Sequence, residues 1–298
     1  MNGVLTWTPG APREVGHGRR ILEVLGFWAV WVGIGELITG TGWELPGDAH
    51  YVSNNDIWWY LVIGIPLVAG FQLFVRQRPI RDLWVRDGQA LGRPLVTRMA
   101  VLALALSIYP LYSLVKTIIE NGEASGILFY GSIATIGAAA AAWAFLHFKR
   151  QTWRYLVFCL LTAGVIGIVV SVATDFRTLT GPTADRPAED LRWGIESFLL
   201  YVPTGMVLEE VAFRGTLDSH AHHEGDRYAI WTAIFVSVLW ALWHGPLVGW
   251  DQFLGAILFM GPMGTFLSIW WRRSGNLEVS GVTHALSDAV RNATGGTP

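Results

Sequence analysis

Apolar runs of about 20 residues, the length a helix needs to cross a bilayer, recur along most of the chain. They fall at 21–40, 57–75, 99–118, 127–148, 155–173, 195–213, 229–248 and 252–271. A ninth stretch, 276–290, is shorter and carries Glu278, His284 and Asp288, so it spans only if packed inside other helices. The pattern predicts an all-α, polytopic membrane helix bundle of eight or nine transmembrane segments. The turn-rich stretch "RTLTGPTADRPAED" (177–190) reads as an outer loop. It divides an N-terminal scaffold of five segments, 1–176, from a working core of three or four, 191–292. "GAAAAA" (137–142) reads as a small-residue face for close helix packing. Pro66 and Pro110 are expected inside helices, where membrane neighbours tolerate them.

Composition agrees. Charged residues make up 15% of the 298, against about 25% in soluble domains. Sixteen tryptophans suit membrane–water interfaces. A net charge of −2 gives no footprint for nucleic acid. Cys159 is the single cysteine, which excludes an internal disulfide and a cysteine metal site. The polar first twenty residues and the long apolar run after them do not read as a cleavable signal peptide.

Basic residues orient the bundle. With the N-terminus in the cytoplasm, 16 of the 21 lysines and arginines fall in the inner segments 1–20, 76–98, 149–154, 214–227 and 272–273. The outer loops 41–56, 119–126, 245–251 and 292–298 hold none, and only 174–194 breaks the rule, with Arg177, Arg186 and Arg192. The expectation is a multi-pass integral membrane protein with a cytoplasmic N-terminus.

An ionisable group in mid-span costs about 3 kcal/mol on insertion scales, which makes it a functional candidate. The last third concentrates such groups: Glu209 and Glu210, then His244, then His284 and Asp288. Glu210 and Arg214 are four apart and share a helix face. Glu209 points about 100° away from Glu210 and is left for another neighbour. Trp240 with His244, and His284 with Asp288, repeat the interval of four. Three helices thus turn polar faces toward a common intramembrane cavity. Depth is the difficult step, because His244 and Glu209 differ by about 10 Å along the bilayer normal if both helices are regular. Glu36 and His147 sit near helix ends and read as interfacial. "HAHHEGD" (220–226) reads as a solvated loop rather than a metal site.

A buried glutamate beside an imidazole can take a proton from water near neutral pH, and a second imidazole can donate to an oxyanion. The same groups suit zinc, which takes histidine and carboxylate ligands. The helical zinc-protease pattern H-E-x-x-H is absent.

At these residues the chain resembles the CPBP family of intramembrane proteases (CAAX proteases and bacteriocin-processing enzymes). "EEVAFRG" is similar to that family's E-E-x-x-x-R motif. "WALWH" supplies His244 of the second motif, with Trp240 in place of Phe. "HALSD" supplies the third, His284 to Asp288, where some members have Asn. The similarity covers roughly 193–292. It implies a glutamate-dependent intramembrane endopeptidase in which Glu209 is the base acting with His244. His284 and Asp288 would form or orient the oxyanion site, and Glu210 with Arg214 would support it. It also implies a lipid bilayer and a membrane-tethered polypeptide as partners, and no obligatory cofactor. If zinc is bound, the implied ligands are Glu209, His244 and His284. Two other classes fit the same buried cluster: a membrane transporter relaying protons, and a non-catalytic scaffold or immunity protein. A transporter built from inverted repeats would show polar helices in both halves, and the first five segments show none.

Overall fold

The computed structural model describes residues 15–40, 55–86, 88, 93–121, 125–170, 187–205, 207–223, 228–244 and 253–293. The protein is all-α: among the described residues there is no strand, only one isolated bridge between Val85 and Asn276. The helices are α1 (His17–Gly40), α2 (Asn55–Gly70), α3 (Arg93–Asn121), α4 (Ser125–Leu146) and α5 (Arg150–Cys159), then α6 (Pro187–Gly205), α7 (Ala229–Trp243), α8 (Phe253–Ser274) and α9 (Glu278–Ala293). Every apolar run read from the sequence overlaps one of them. Among the described residues, four helical stretches are long and apolar enough to cross a membrane: His17–Ile38, Pro94–Lys116, Arg150–Val170 and Leu254–Ser274. Shorter apolar stretches lie at Ile63–Val75, Ile133–Leu146 and Ala229–Trp243.

Surface pattern supports a lipid environment. Trp153, Val157, Leu161, Val165 and Val169 are all exposed at intervals of four. That spacing draws one apolar stripe along the helix from Arg150 to Val170. Leu104, Ile108, Leu111, Val115 and Ile119 draw another along α3. In water such stripes would be an aggregation liability; in a bilayer they are the natural outer face. The protein is an integral membrane protein.

Packing is sequential on one side of the bundle: α3 lies on α4, α4 on α6, α6 on α9, α9 on α8, and α8 on α7. The alanine face of α4 makes this compact. Ala134, Ala138, Ala141, Ala142 and Ala144 are fully buried, and a Cβ on Gly137 would clash with the Pro203 carbonyl oxygen of α6. Helices α2 and α3 continue through Pro66 and Pro110.

Two boundaries differ from the sequence reading. Residues 187–194 are helical rather than loop. Pro187 occupies the first turn, where its missing N–H is harmless, and Glu189 and Asp190 follow it there, favourable to the helix dipole. Arg192 pairs with Glu196 on that helix at 2.8 Å. Residues 174–186, the rest of the expected outer loop, lie outside the described residues, as do most of the other outer loops. The run 195–213 is likewise not one helix. It carries Pro203 near its end and closes at Gly205, turns through Val207 and Leu208, and resumes as a π-helical segment, Val211–Asp218. Side chains reinforce the wide turn: the Thr216 hydroxyl donates five residues back to Val211 O at 2.8 Å, and Ser219 to Arg214 O at 3.0 Å. Such π turns concentrate at functional sites.

Candidate active site

Glu209 and Glu210 stand at the junction between the broken helix and the π-helical segment. The break aims the two carboxylates at different helices, as the 100° advance predicts. Glu210 turns inward and is fully buried; Arg214 Nη1 lies 3.1 Å from its Oε1, and His284 Nδ1 lies 2.9 Å from the same oxygen. Glu209 turns toward α7 and keeps about a quarter of its side chain exposed. Its Oε2 accepts the Trp240 indole N–H at 2.8 Å and lies 3.5 Å from His244 Nε2.

Glu209 and His244 meet despite the expected depth mismatch, and two irregularities flank them. One is the restart of the chain after Gly205. The other is the end of α7 at Trp243, which makes His244 its C-terminal cap rather than an interior residue. The sequence carries the cause, because Gly245 precedes Pro246 and a helix seldom continues to the residue before proline. His244 Nδ1 bonds the Trp240 carbonyl at 2.9 Å, which fixes the ring and leaves Nε2 toward Glu209.

His284, on α9, has a carboxylate oxygen at each ring nitrogen. Glu210 is at Nδ1, and Asp288 Oδ2 lies 3.4 Å from Nε2. Asp288 also meets Arg291 at 3.3 Å. The position of α9 is set by Asn276, whose Oδ1 accepts the Glu278 N–H at 3.1 Å and whose Nδ2 donates to Ala144 O at 2.7 Å. Trp240 joins these groups. Its ring lies edge-on to His244 and to His284, with centroids 5.4 and 5.2 Å away. The Arg214 guanidinium sits over its face at 4.3 Å. All six residues singled out in the sequence therefore lie within one cluster linked through Trp240.

No pattern along the chain signals the part played by the first helices. A cleft at Glu209 is walled by Trp31 of α1 and Gly64 of α2, together with Leu208, Ala212 and Trp243. Gly64 is required there: a Cβ would fall 2.6 Å from the Trp31 ring. Trp28 donates its indole N–H to Leu239 O of α7 at 2.9 Å, and Arg76 donates to Gly215 O at 2.8 Å. The stretch 220–226 differs in part from the solvated loop expected of it. His220 is buried and meets Glu23 of α1 at 2.8 Å instead of facing solvent, while His223 is exposed; residues 224–226 lie outside the described residues. Glu36 is exposed near the end of α1, and His147 bonds Trp143 O at 2.7 Å. Among the described residues, no three His, Cys, Asp or Glu side chains group together as metal ligands.

Residues 192–290 match the family described as Type II CAAX prenyl endopeptidase Rce1-like. The chain carries a CPBP-family segment. The matched stretch runs from α6 to α9 and encloses Glu209, Glu210, Arg214, His244, His284 and Asp288. No curated protein and no solved structure matches the chain. The CPBP segment is of a CAAX-type intramembrane protease family, and it coincides with the part of the bundle in which the buried polar residues meet.

Proposed function

We propose that the protein is an intramembrane endopeptidase that cleaves a membrane-tethered polypeptide by water activated between Glu209 and His244. The observation that carries the reading is Glu209 Oε2 at 3.5 Å from His244 Nε2, beside a cleft and inside the matched segment. A water held by both groups loses a proton to Glu209, and the resulting hydroxide attacks the scissile carbonyl carbon. His284, braced by Glu210, and Asp288 beside it form or orient the site for the developing oxyanion. Glu209 then returns its proton to the leaving amine. Glu210 and Arg214 hold the frame in which this happens. Metal is not needed for these steps, and metal content of the purified protein after mild chelation tests that point.

The same reading assigns eight or nine membrane crossings with the N-terminus inside. It makes 1–176 the scaffold and 191–292 the catalytic core. The substrate is cut near its membrane anchor, whether the anchor is a lipid-modified tail or a hydrophobic leader.

The test is cleavage of a membrane-tethered reporter by protein reconstituted in liposomes. Glu209→Ala and His244→Ala are each expected to abolish cleavage while the helical circular dichroism and thermal unfolding stay near wild type. Retained cleavage in either variant removes the assigned roles. Proton flux that depends on Glu209 without any cleavage would make the cluster a carrier instead.

A further inference from the structure

We propose that Trp240 is the positioning residue of the site: its indole N–H clamps one oxygen of Glu209 so that the acid stays registered against His244. The inference rests on the endopeptidase reading and adds to it a residue outside the acid, imidazole and arginine set.

Three observations meet at this side chain. First, the 2.8 Å bond from Trp240 Nε1 to Glu209 Oε2 is the one direct hydrogen bond that Glu209 makes among the described residues. The contact of the same oxygen with His244, at 3.5 Å, is too long to hold it. Second, the clamp is rigid. The ring is essentially fully buried, and its face is covered by the Arg214 guanidinium at 4.3 Å, which is itself paired with Glu210. Third, the Trp240 carbonyl accepts from His244 Nδ1 at 2.9 Å, so one residue holds both members of the water-activating pair.

The chemistry favours an indole here. An indole N–H donates only and does not titrate near neutral pH. It therefore holds the carboxylate without competing for the proton taken from water. It engages Oε2 and leaves Oε1 without a hydrogen bond among the described residues. A phenylalanine, the residue of the resembling motif, can present a ring face to Arg214 but is smaller than the indole and has no donor.

The experiment separates the N–H from the shape. Position 240 is replaced by 3-benzothienylalanine, whose sulfur stands where the indole N–H was, and in parallel Trp240→Phe is made. Both proteins are assayed in liposomes against the tethered reporter. The expected result is a kcat about tenfold or more below wild type in both, with KM within about twofold; the unfolding temperature stays at the wild-type value in the benzothienyl protein and falls in Trp240→Phe, where the smaller ring leaves a cavity. A benzothienyl protein as active as wild type overturns the proposal and leaves Trp240 a space-filling residue. So does a loss expressed in KM alone. Failure of the endopeptidase reading looks different: wild type and Glu209→Gln then cleave the reporter equally, or neither cleaves it.

Discussion

Removing the Glu210 carboxylate tests the buried frame under the site. Glu210 is fully buried and Arg214 is exposed by only 1%, with 3.1 Å between them. At that distance and an effective dielectric of about 20, the pair attracts by about 5 kcal/mol, and desolvation of both ions offsets much of it. Truncating one partner is different, because the other charge stays buried. Arg214 Nε and Nη2 have no hydrogen-bond partner among the described residues, so its remaining support is the Trp240 face. Glu210→Ala is therefore expected to lose about 3–5 kcal/mol, the range for breaking a buried ion pair. It also strips His284 Nδ1 of its 2.9 Å partner.

The assay is reversible unfolding in mixed micelles, followed by tryptophan fluorescence, on Glu210→Ala, Arg214→Met and the double variant. The double variant should lose clearly less than the sum of the singles, because it buries no orphan charge. Cleavage should be lost in all three proteins, since His284 is no longer braced. Interhelical hydrogen bonds in membranes average about 0.6 kcal/mol in double-mutant cycles. A loss below about 1 kcal/mol for Glu210→Ala, or strict additivity in the double variant, would refute the claim that this pair is a desolvated strut.

Gly137→Val drives a side chain into the Pro203 carbonyl. It should separate α4 from α6 and lower stability by about 1–3 kcal/mol, and a wild-type unfolding temperature would contradict that packing. Arg272 bonds both oxygens of fully buried Asp218, at 2.6 and 2.8 Å. Arg272→Met should cost about 3–5 kcal/mol, and Arg272→Lys should recover less than half of it, because an ammonium cannot reproduce the fork. Burial pushes the His220 imidazole below its usual 6.5; contact with Glu23 opposes this, and Arg76 and Arg20 add to it. A histidine lowered on folding binds fewer protons folded than unfolded, so its contribution is whole above about pH 6.5 and is lost as pH falls through the folded value. Unfolding temperature should fall between pH 7.5 and 5.5, and His220→Asn should flatten that slope; an unchanged slope in the variant would rule it out.

The helices were legible because a bilayer leaves little freedom. A span must be long, apolar and internally hydrogen-bonded, so each run of hydropathy marked the site of a helix. The ninth was the hardest to read, and burial explains why. α9 carries Glu278, Ser280, Thr283, His284 and Ser287 on buried positions, so its surroundings are protein rather than lipid. The polar residues of the site were legible for the converse reason, since only a function or a tight internal pairing keeps them in such runs.

Register and cross-chain ties were not legible. The restart after Gly205 and the cap at His244 flank the pair, whose side chains meet at 3.5 Å where two regular helices lead to an expected axial offset of about 10 Å. Each has a local signal in hindsight: Pro203 with Gly205, and Gly245 with Pro246. The ties from α1 and α2 have none. Trp28 to Leu239, Glu23 to His220, Arg76 to Gly215 and the Trp31–Gly64 wall at Glu209 join residues far apart in the sequence. No periodicity encodes such partners. A reading based on which helices hold charges therefore finds the acid and the imidazoles, but assigns the first helices no role. The geometry makes Trp31 of α1 and Gly64 of α2 one wall at Glu209, so Gly64→Ala, whose Cβ would press on the Trp31 ring, should lower cleavage of the reporter in liposomes, and wild-type cleavage in that variant would contradict a role for this wall.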